Sequence, residues 1–477
     1  MAKSVISELL QIFKSGVSAV LPDNLIRRVL KYNPVSQQLT ICGDTYNLQN
    51  RNVYLVGTGK AVRNMAMEVE NILGSKIKKG IVSIPEGSLE VISETVSYCQ
   101  GAKHNLPDLN SITTTRKICD LVTGLEKDDL LIVLISGGGS ALLTLPKPPI
   151  TLEEKSTLIK DLANSGADIK ELNIVRKKLS DIKGGKLAIK AQPAEVVSLI
   201  LSDIVGDPID LIASGPTLEN RDDPAKALDI VEKYNLFTDL PDSIKNALRE
   251  MHDYEQFPED NVKNYLIGSN KIGIEAAVDE ARSFNYIPIA LSNTVVGVVE
   301  DVAVAYTKLI EAFCELLREG INSEALRLLS KSLDLPDLHL EIADGDDLHN
   351  KDLCLILGGE TTVYVKGSGK GGRNQQLALE FAKNCYELKE NYEGYDVYLL
   401  SAGTDGADGP TDAAGAIGYL DLVPDAEKEK LDVRKYVKEF DSYNFYKEFM
   451  NGNLHVITGH TNTNIMDLHI IIIKKAK

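Results

Sequence analysis

Much of what would assign a function class at once is missing from this chain of 477 residues. Positive balance is missing: 52 Lys and Arg face 69 Asp and Glu, for a net charge of -17. Neutralising nucleic-acid phosphates takes clustered cations, so nucleic acid is not an expected partner. A local basic pocket for a small anion is still compatible with that balance. No run approaches the ~18–20 apolar residues of a membrane span, so no membrane partner is expected. The opening "MAKSVISELLQIFKSGVSAVLP" has helical periodicity with charges inside it and lacks the uninterrupted apolar core of a signal peptide. The six cysteines (Cys42, Cys99, Cys119, Cys314, Cys354, Cys385) are scattered with no CxxC pair, which argues against a zinc knuckle or a dithiol redox motif. Most sit in apolar runs and read as buried thiols in a reducing, cytoplasmic setting. The seven histidines show neither HxxxH nor HExxH spacing, and no GxSxG elbow occurs. The familiar nucleotide motifs fail as well. No GxxxxGK[ST] is present, and no GxGxxG follows the first strand.

What is present is ordinary globular composition, 43% hydrophobic and 25% charged. The length predicts about two to three domains. Short runs rich in Val, Ile and Leu recur, among them "NVYLVGTGK" (52–60), "LLIVLISGGG" (130–139), "VVSLILSDIVGD" (196–207), "LCLILGGE" (353–360) and "LHIIIIK" (468–474). Most run into Gly, Ser, Thr or Asp, and longer patterns of helical period separate many of them. That alternation predicts an α/β protein with a doubly wound, mainly parallel sheet in its N-terminal lobe and a second α/β lobe after it. Such sheets place ligands beyond the carboxyl ends of their strands. The expected domains are 1–245 and 246–477. The charged segment 221–261 reads as the bridge between lobes, and the acidic segment 333–352 as a surface loop.

The strand ends carry the candidates. In "LISGGGSALL" the run Ser136, Gly137, Gly138, Gly139, Ser140 joins a strand to a helix. Backbone N–H groups there can meet a phosphate, and a tight turn is the blander reading. Lys60 follows a strand in "VYLVGTGKA", where it opposes the dipole of the next helix unless an anion visits. In "NIVRKKLSDIKGGKLA" five cations surround one Gly-Gly. Lys183, beside that break, is the best candidate for an anionic substrate, against the alternative of a solvated basic face. Asp203 and Asp207 follow a strand in "LILSDIVGDP", and Asp405, Asp408 and Asp412 lie in "SAGTDGADGPTDAAG". Such carboxylates suit Mg²⁺ or a hydroxyl proton, and equally suit turns and caps. Glu360 follows a glycine pair. Arg373 opens an amphipathic helix, where it can stabilise charge on a transferring phosphoryl group. Together these pieces suit phosphoryl transfer to a small acceptor.

In "GTGKA", "LISGGGSALL", "NIVRKKLSDIKGGKLA", "LSDIVGDPIDLIASGPT", "GGETTVYVKGSGKGGRNQQLAL" and "SAGTDGADGPTDAAGA" the chain resembles the class II glycerate kinases of the MOFRL family. The match runs over most of the length. The resemblance implies phosphorylation of the 2-hydroxyl of D-glycerate by ATP with Mg²⁺ or another divalent cation, in a cleft between two lobes. It implies Lys60, Arg373 and Asp203 as catalytic groups and Asp207 and Asp405 as metal ligands. Ser136 to Ser140, Lys183 and Glu360 would hold substrate or nucleotide. Two stretches depart from the family. "GAKHNLPD" (101–108) stands where Gly-His-Pro-x-Pro-Asp is usual, and His460 and Asn462 replace a proline and a glycine near the C-terminus. Both bear on substrate or nucleotide preference. A reductase acting on hydroxypyruvate with NAD(P)H is the first rival, opposed by the missing dinucleotide fingerprint. A non-catalytic sugar-phosphate-binding module is the second, opposed by the carboxylates at strand ends. The oligomeric state is open, a homodimer being one expectation.

Overall fold

The computed structural model describes residues 2–251, 256–319, 335–336, 338 and 351–476. The chain forms two compact units, Pro22–Gly268 and Met1–Leu21 with Ser269–Lys477. This differs from the expected split at 245 in two places. The strand Val262–Gly268 belongs to the first unit, because it pairs in parallel with Glu195–Leu201. The N-terminal helix Ala2–Ala19 belongs to the second, because its apolar face (Val5, Leu9, Ile12, Phe13) is buried with Ile274, Ala277 and Leu468. Gly16 makes that packing close: a Cβ there would lie 2.8 Å from Leu468 and 2.9 Å from the Gly273 carbonyl.

The first unit begins with a small antiparallel meander, β1 (Leu30–Asn33), β2 (Gln38–Ile41) and β3 (Asp44–Asn47). The main sheet follows: β4 (Val53–Thr58), β5 (Ile77–Pro85), β6 (Val96–Gly101), β7 (Leu130–Ile135), β8 (Glu195–Leu201) and β9 (Val262–Gly268). Its order is β6-β5-β4-β7-β8-β9, and every pairing is parallel. The central strands β4 and β7 are buried at every residue, as unbroken Val/Ile/Leu runs require when helices cover both faces. On one face Tyr54 and Val56 join Ile118 and Val122 of the helix Leu109–Val122. On the other, Val62 of the helix Val62–Leu73 lies 3.5 Å from where a Cβ on Gly57 would be. The strand order reverses between β4 and β7, which makes their carboxyl ends the ligand-binding crevice of such a sheet.

The segment expected to bridge the lobes is instead part of this unit as far as residue 251. Ile230, Ile244 and Leu248 share a core with Leu158, Leu162 and Val175, so its apolar positions are spent on packing.

The second unit is built on a mixed sheet: β10 (Ile287–Val298), β11 (Leu353–Thr362), β12 (Tyr395–Gly403), β13 (Gly415–Tyr419), β14 (His455–Val456) and β15 (Asp467–Lys475). The order is β10-β11-β15-β12-β13-β14, with only β10 and β11 parallel. The C-terminal run "LHIIIIK" becomes the central β15, antiparallel to both neighbours. Most of 333–352 lies outside the described residues. Cys314, Cys354 and Cys385 are buried as expected, whereas Cys42, Cys99 and Cys119 are partly exposed. No single helix among the described residues is long and apolar enough to cross a membrane.

Candidate active site

The switch point of the first unit brings together Lys60, Ser136–Ser140 and Asp203. β4 ends at Thr58 and β7 at Ile135, side by side. Two crossing bonds stitch their loops together. The Lys60 N–H donates to the Gly137 carbonyl at 2.9 Å, and the Ala61 N–H donates to Ser136 Oγ at 3.0 Å. Ser136 is therefore buried and committed to the loop itself.

Each of the three glycines makes room for a different neighbour. A Cβ on Gly137 would lie 1.6 Å from Asp203 Oδ2. A Cβ on Gly138 would lie 3.0 Å from Lys60 Cγ and 3.2 Å from Asn105 Oδ1, and Gly138 also has φ +77°. A Cβ on Gly139 would lie 2.8 Å from the Ala213 methyl. The bare backbone thus lets Asp203, Lys60 and Ala213 close on one loop. Lys60 is exposed beyond it. Burial raises the Asp203 carboxyl above its ordinary range, and the Lys60 charge tempers that rise. Asp207 follows in a left-handed conformation at φ +54°. Its carboxyl is raised by burial, and its Oδ1 has no hydrogen-bond partner among the described residues.

Lys183, expected to reach substrate, is only 1% exposed. Its ammonium donates to the carbonyls of Ser140 and Leu143, both at 2.8 Å. It ties down the short helix Gly139–Leu142 that follows the glycines. Ser140 Oγ lies 2.9 Å from Ser214 Oγ, and Ser214 donates to Asn173 Oδ1 at 2.7 Å.

In the second unit Arg373 opens the helix Arg373–Glu387, as expected, with Asp467 as its main partner. Arg373 Nε donates to Asp467 Oδ2 at 2.7 Å and Nη2 to Oδ1 at 2.9 Å, a bidentate pair. Glu360, still inside β11, lies 3.2 Å from Nη1. Burial opposes the arginine's charge, but Asp467 and Glu360 outweigh it and hold the group above its usual range. Asp467 is completely buried and also accepts from Asn374 Nδ2 at 2.9 Å.

The anion that visits this helix start is the protein's own. Asp408 accepts the N–H groups of Asn374 and Gln375 at 3.0 and 2.9 Å. Burial pushes its carboxyl up to about 6, although those N–H groups pull it back. Asp405 makes a turn, accepting the Ala407 N–H at 3.1 Å. Asp412 accepts the Tyr443 hydroxyl on the surface.

The expected metal ligands Asp207 and Asp405 fall in different units. Among the described residues no group of three or more His, Cys, Asp or Glu is gathered for a metal ion. The residues missed in the sequence are Asp467, Asn374, Asn105, Ser214 and Asn173. One signal was available: "RNQQLAL" puts three polar residues before an apolar run, and Asn374, Gln375 and Gln376 are all buried.

Comparisons with known proteins match two separate parts of the chain. Residues 8–249 match a family described as a domain of unknown function, DUF4147, and residues 353–467 match the MOFRL family. A glycerate kinase of Rattus norvegicus is 42% identical over 97% of this chain and 92% of its own. A D-glycerate 2-kinase of Thermotoga maritima is 37% identical over 97% of both chains. The crystal structure of a Thermotoga maritima glycerate kinase superposes with a TM-score of 0.78 at 34% identity, covering 99% of this chain and 100% of that one. The chain belongs to the family of glycerate kinases that join a DUF4147 domain to a MOFRL domain.

Proposed function

We propose that this protein transfers the γ-phosphoryl group of ATP to the 2-hydroxyl of D-glycerate, giving 2-phosphoglycerate and ADP. The observation that carries this reading is the similarity, over nearly the whole chain, to a D-glycerate 2-kinase. The C2 oxygen attacks the γ-phosphorus while the bond to the β-phosphate oxygen breaks. Asp203 takes the hydroxyl proton, a role suited to a carboxyl raised by burial. Lys60, carried on the bare backbone of Gly138, neutralises charge on the transferring group. Arg373, held in one orientation by Asp467, is the fixed positive charge that the second unit offers to the reaction. Glu360 helps to hold that orientation.

Mg²⁺ enters this reading with the nucleotide. Magnesium is commonly held by one or two carboxylates plus substrate phosphates, so a cage of protein ligands is not needed. Asp207, with an orphaned buried oxygen, fits that use. The ion would supply charge neutralisation at the phosphates. Asp405, spent on its turn, is the weaker ligand.

The rival readings lose ground on specific observations. The β4 loop carries no dinucleotide fingerprint although the sheet has the order that hosts one. A passive phosphate sensor gives no reason to press a half-buried carboxylate onto Gly137 beside Lys60. The test is ADP release from ATP and Mg²⁺ on adding D-glycerate. Release that depends on both acceptor and metal is the expected result. NADH consumption with hydroxypyruvate, and no ADP, would replace this reading by the reductase.

A further inference from the structure

Strand β15 begins at Asp467, so the entry Ile465–Asp467 decides where the carboxylate that holds Arg373 sits. That entry is strained. Met466 is a non-glycine residue at φ +70°, a left-handed conformation that an L side chain keeps only when its surroundings impose it. Two completely buried side chains impose it here. Asn270 is the first residue of the helix Asn270–Ser283. Its Nδ2 donates to the Ile465 carbonyl at 2.7 Å and to the Asp467 carbonyl at 2.9 Å, and so spans the strained residue from both sides. Thr404, just past β12, grips the residues between. Its Oγ1 donates to the Met466 carbonyl at 2.7 Å and accepts the Ile465 N–H at 2.9 Å.

The neighbouring packing is cut to admit this clamp. A Cβ on Gly358 of β11 would lie 1.9 Å from Asn270 Oδ1. One turn along the helix from Asn270, a Cβ on Gly273 would lie 2.5 Å from Ile465 Cδ1. For stability alone, Asn270 is a poor choice. Its Oδ1 is buried with no hydrogen-bond partner among the described residues, so the core carries the desolvation of an acceptor and gains no bond from it. An apolar side chain would avoid that cost but would leave both carbonyls unheld. Only a carboxamide's two N–H groups can hold the pair at a fixed separation.

We propose that Asn270, assisted by Thr404, is a positioning residue for phosphoryl transfer: it fixes the backbone of Asp467 and, through the Asp467 carboxylate, the orientation of Arg373. Asn270 bonds the Asp467 carbonyl and the Asp467 carboxylate bonds Arg373 Nε and Nη2, with no link longer than 2.9 Å. Asn270 and Thr404 are completely buried, so both act through Arg373 rather than on a substrate. The proposal rests on the kinase reading for the reaction that Arg373 serves, and on geometry alone for the placement of Arg373.

The test pairs kinetics with NMR on the full-length protein, using Asn270→Ala and the isosteric Thr404→Val. Each is expected to lower kcat by ~10², the effect of displacing a catalytic group by about 1 Å. Added to Arg373→Ala, each should cost less than about 2-fold more, because the group it positions is already gone. A merely structural role predicts a loss that multiplies with that of Arg373→Ala. The second arm follows the Arg373 Nε–H resonance, which the bond to Asp467 protects from exchange with water. Faster exchange in both variants is expected. Wild-type kcat in both variants overturns the proposal, as does a loss that multiplies, or unchanged exchange. If Asn270→Ala does not fold, Thr404→Val decides alone by the same criteria. A wild type that transfers no phosphoryl group sinks the kinase reading alone, and the exchange arm then decides whether Asn270 holds Arg373.

Discussion

Lys60 and Arg373 are both cations at a helix start, and the two units treat them in opposite ways. In the first unit Lys60 is exposed, its stem rests on Gly138, and the loop beneath it is fixed by a backbone bond to Gly137 and by Ser136 Oγ. In the second, Arg373 is locked by two bonds to a carboxylate that is itself completely buried. The first arrangement leaves a charge available and ties it weakly to the fold. The second builds the charge into the fold, so that in the proposed mechanism function and stability share one side chain. A positive group at a helix start can thus be held by spare backbone or by a buried counter-charge, with different consequences when it is removed.

The largest effect is expected for Arg373→Ala. It leaves Asp467 buried without its partner, which costs about 3–5 kcal/mol. Turnover falls by ~10³ or more, the range for an arginine serving a phosphoryl group. Urea titration and steady-state kinetics check the two arms. Lys60→Ala is expected to lose activity by ~10²–10³ as well. Its unfolding free energy should stay within about 0.5 kcal/mol of wild type, as for a surface substitution. Equal destabilisation by both variants would erase the contrast between the units.

Gly137→Ala comes next. The new methyl collides with Asp203, so the loop or the carboxylate must move at a cost of about 1–3 kcal/mol. Combining it with Asp203→Ala should recover stability but not turnover, which a double-mutant cycle resolves.

The smallest effect concerns Asp408. Its folded carboxyl, raised to about 6 mainly by burial, keeps a proton that the unfolded chain has released above its ordinary value of 3.8. The stability it contributes is therefore fully present below that ordinary value. It is lost as pH rises through about 6, at no more than about 1.4 kcal/mol per pH unit. Asp408→Asn should remove this slope from stability measured between pH 4 and 6. An unchanged slope would show that another group carries it.

The sequence announced the parallel sheet because its strands are buried on both sides and read as unbroken apolar runs. β4, β7 and β8 were plain for that reason. β13 and β14 were not: Gly415–Tyr419 carries two glycines, and β14 has just two residues. The mixed pairing of the second sheet was hidden because "LHIIIIK" shows that a strand is buried but not which way it runs. Lys60, Arg373 and Asp203 were legible as polar residues at element ends. Asp467 was not, because its importance comes from pairing across 94 positions of sequence, which no local pattern encodes. The three glycines were legible as an anomaly, but the neighbours they admit come from three other segments. Lys183 turns inward onto the Ser140 and Leu143 carbonyls, and a charge run gives no sign of which member does so.

The most direct test of the central claim is phosphorus NMR of the product formed from ATP, Mg²⁺ and D-glycerate by the purified protein. A 2-phosphoglycerate resonance, absent from Arg373→Ala and Lys60→Ala reactions run alongside, is the predicted result. A 3-phosphoglycerate resonance would contradict the assigned hydroxyl, and no phosphorylated glycerate at all would contradict the account.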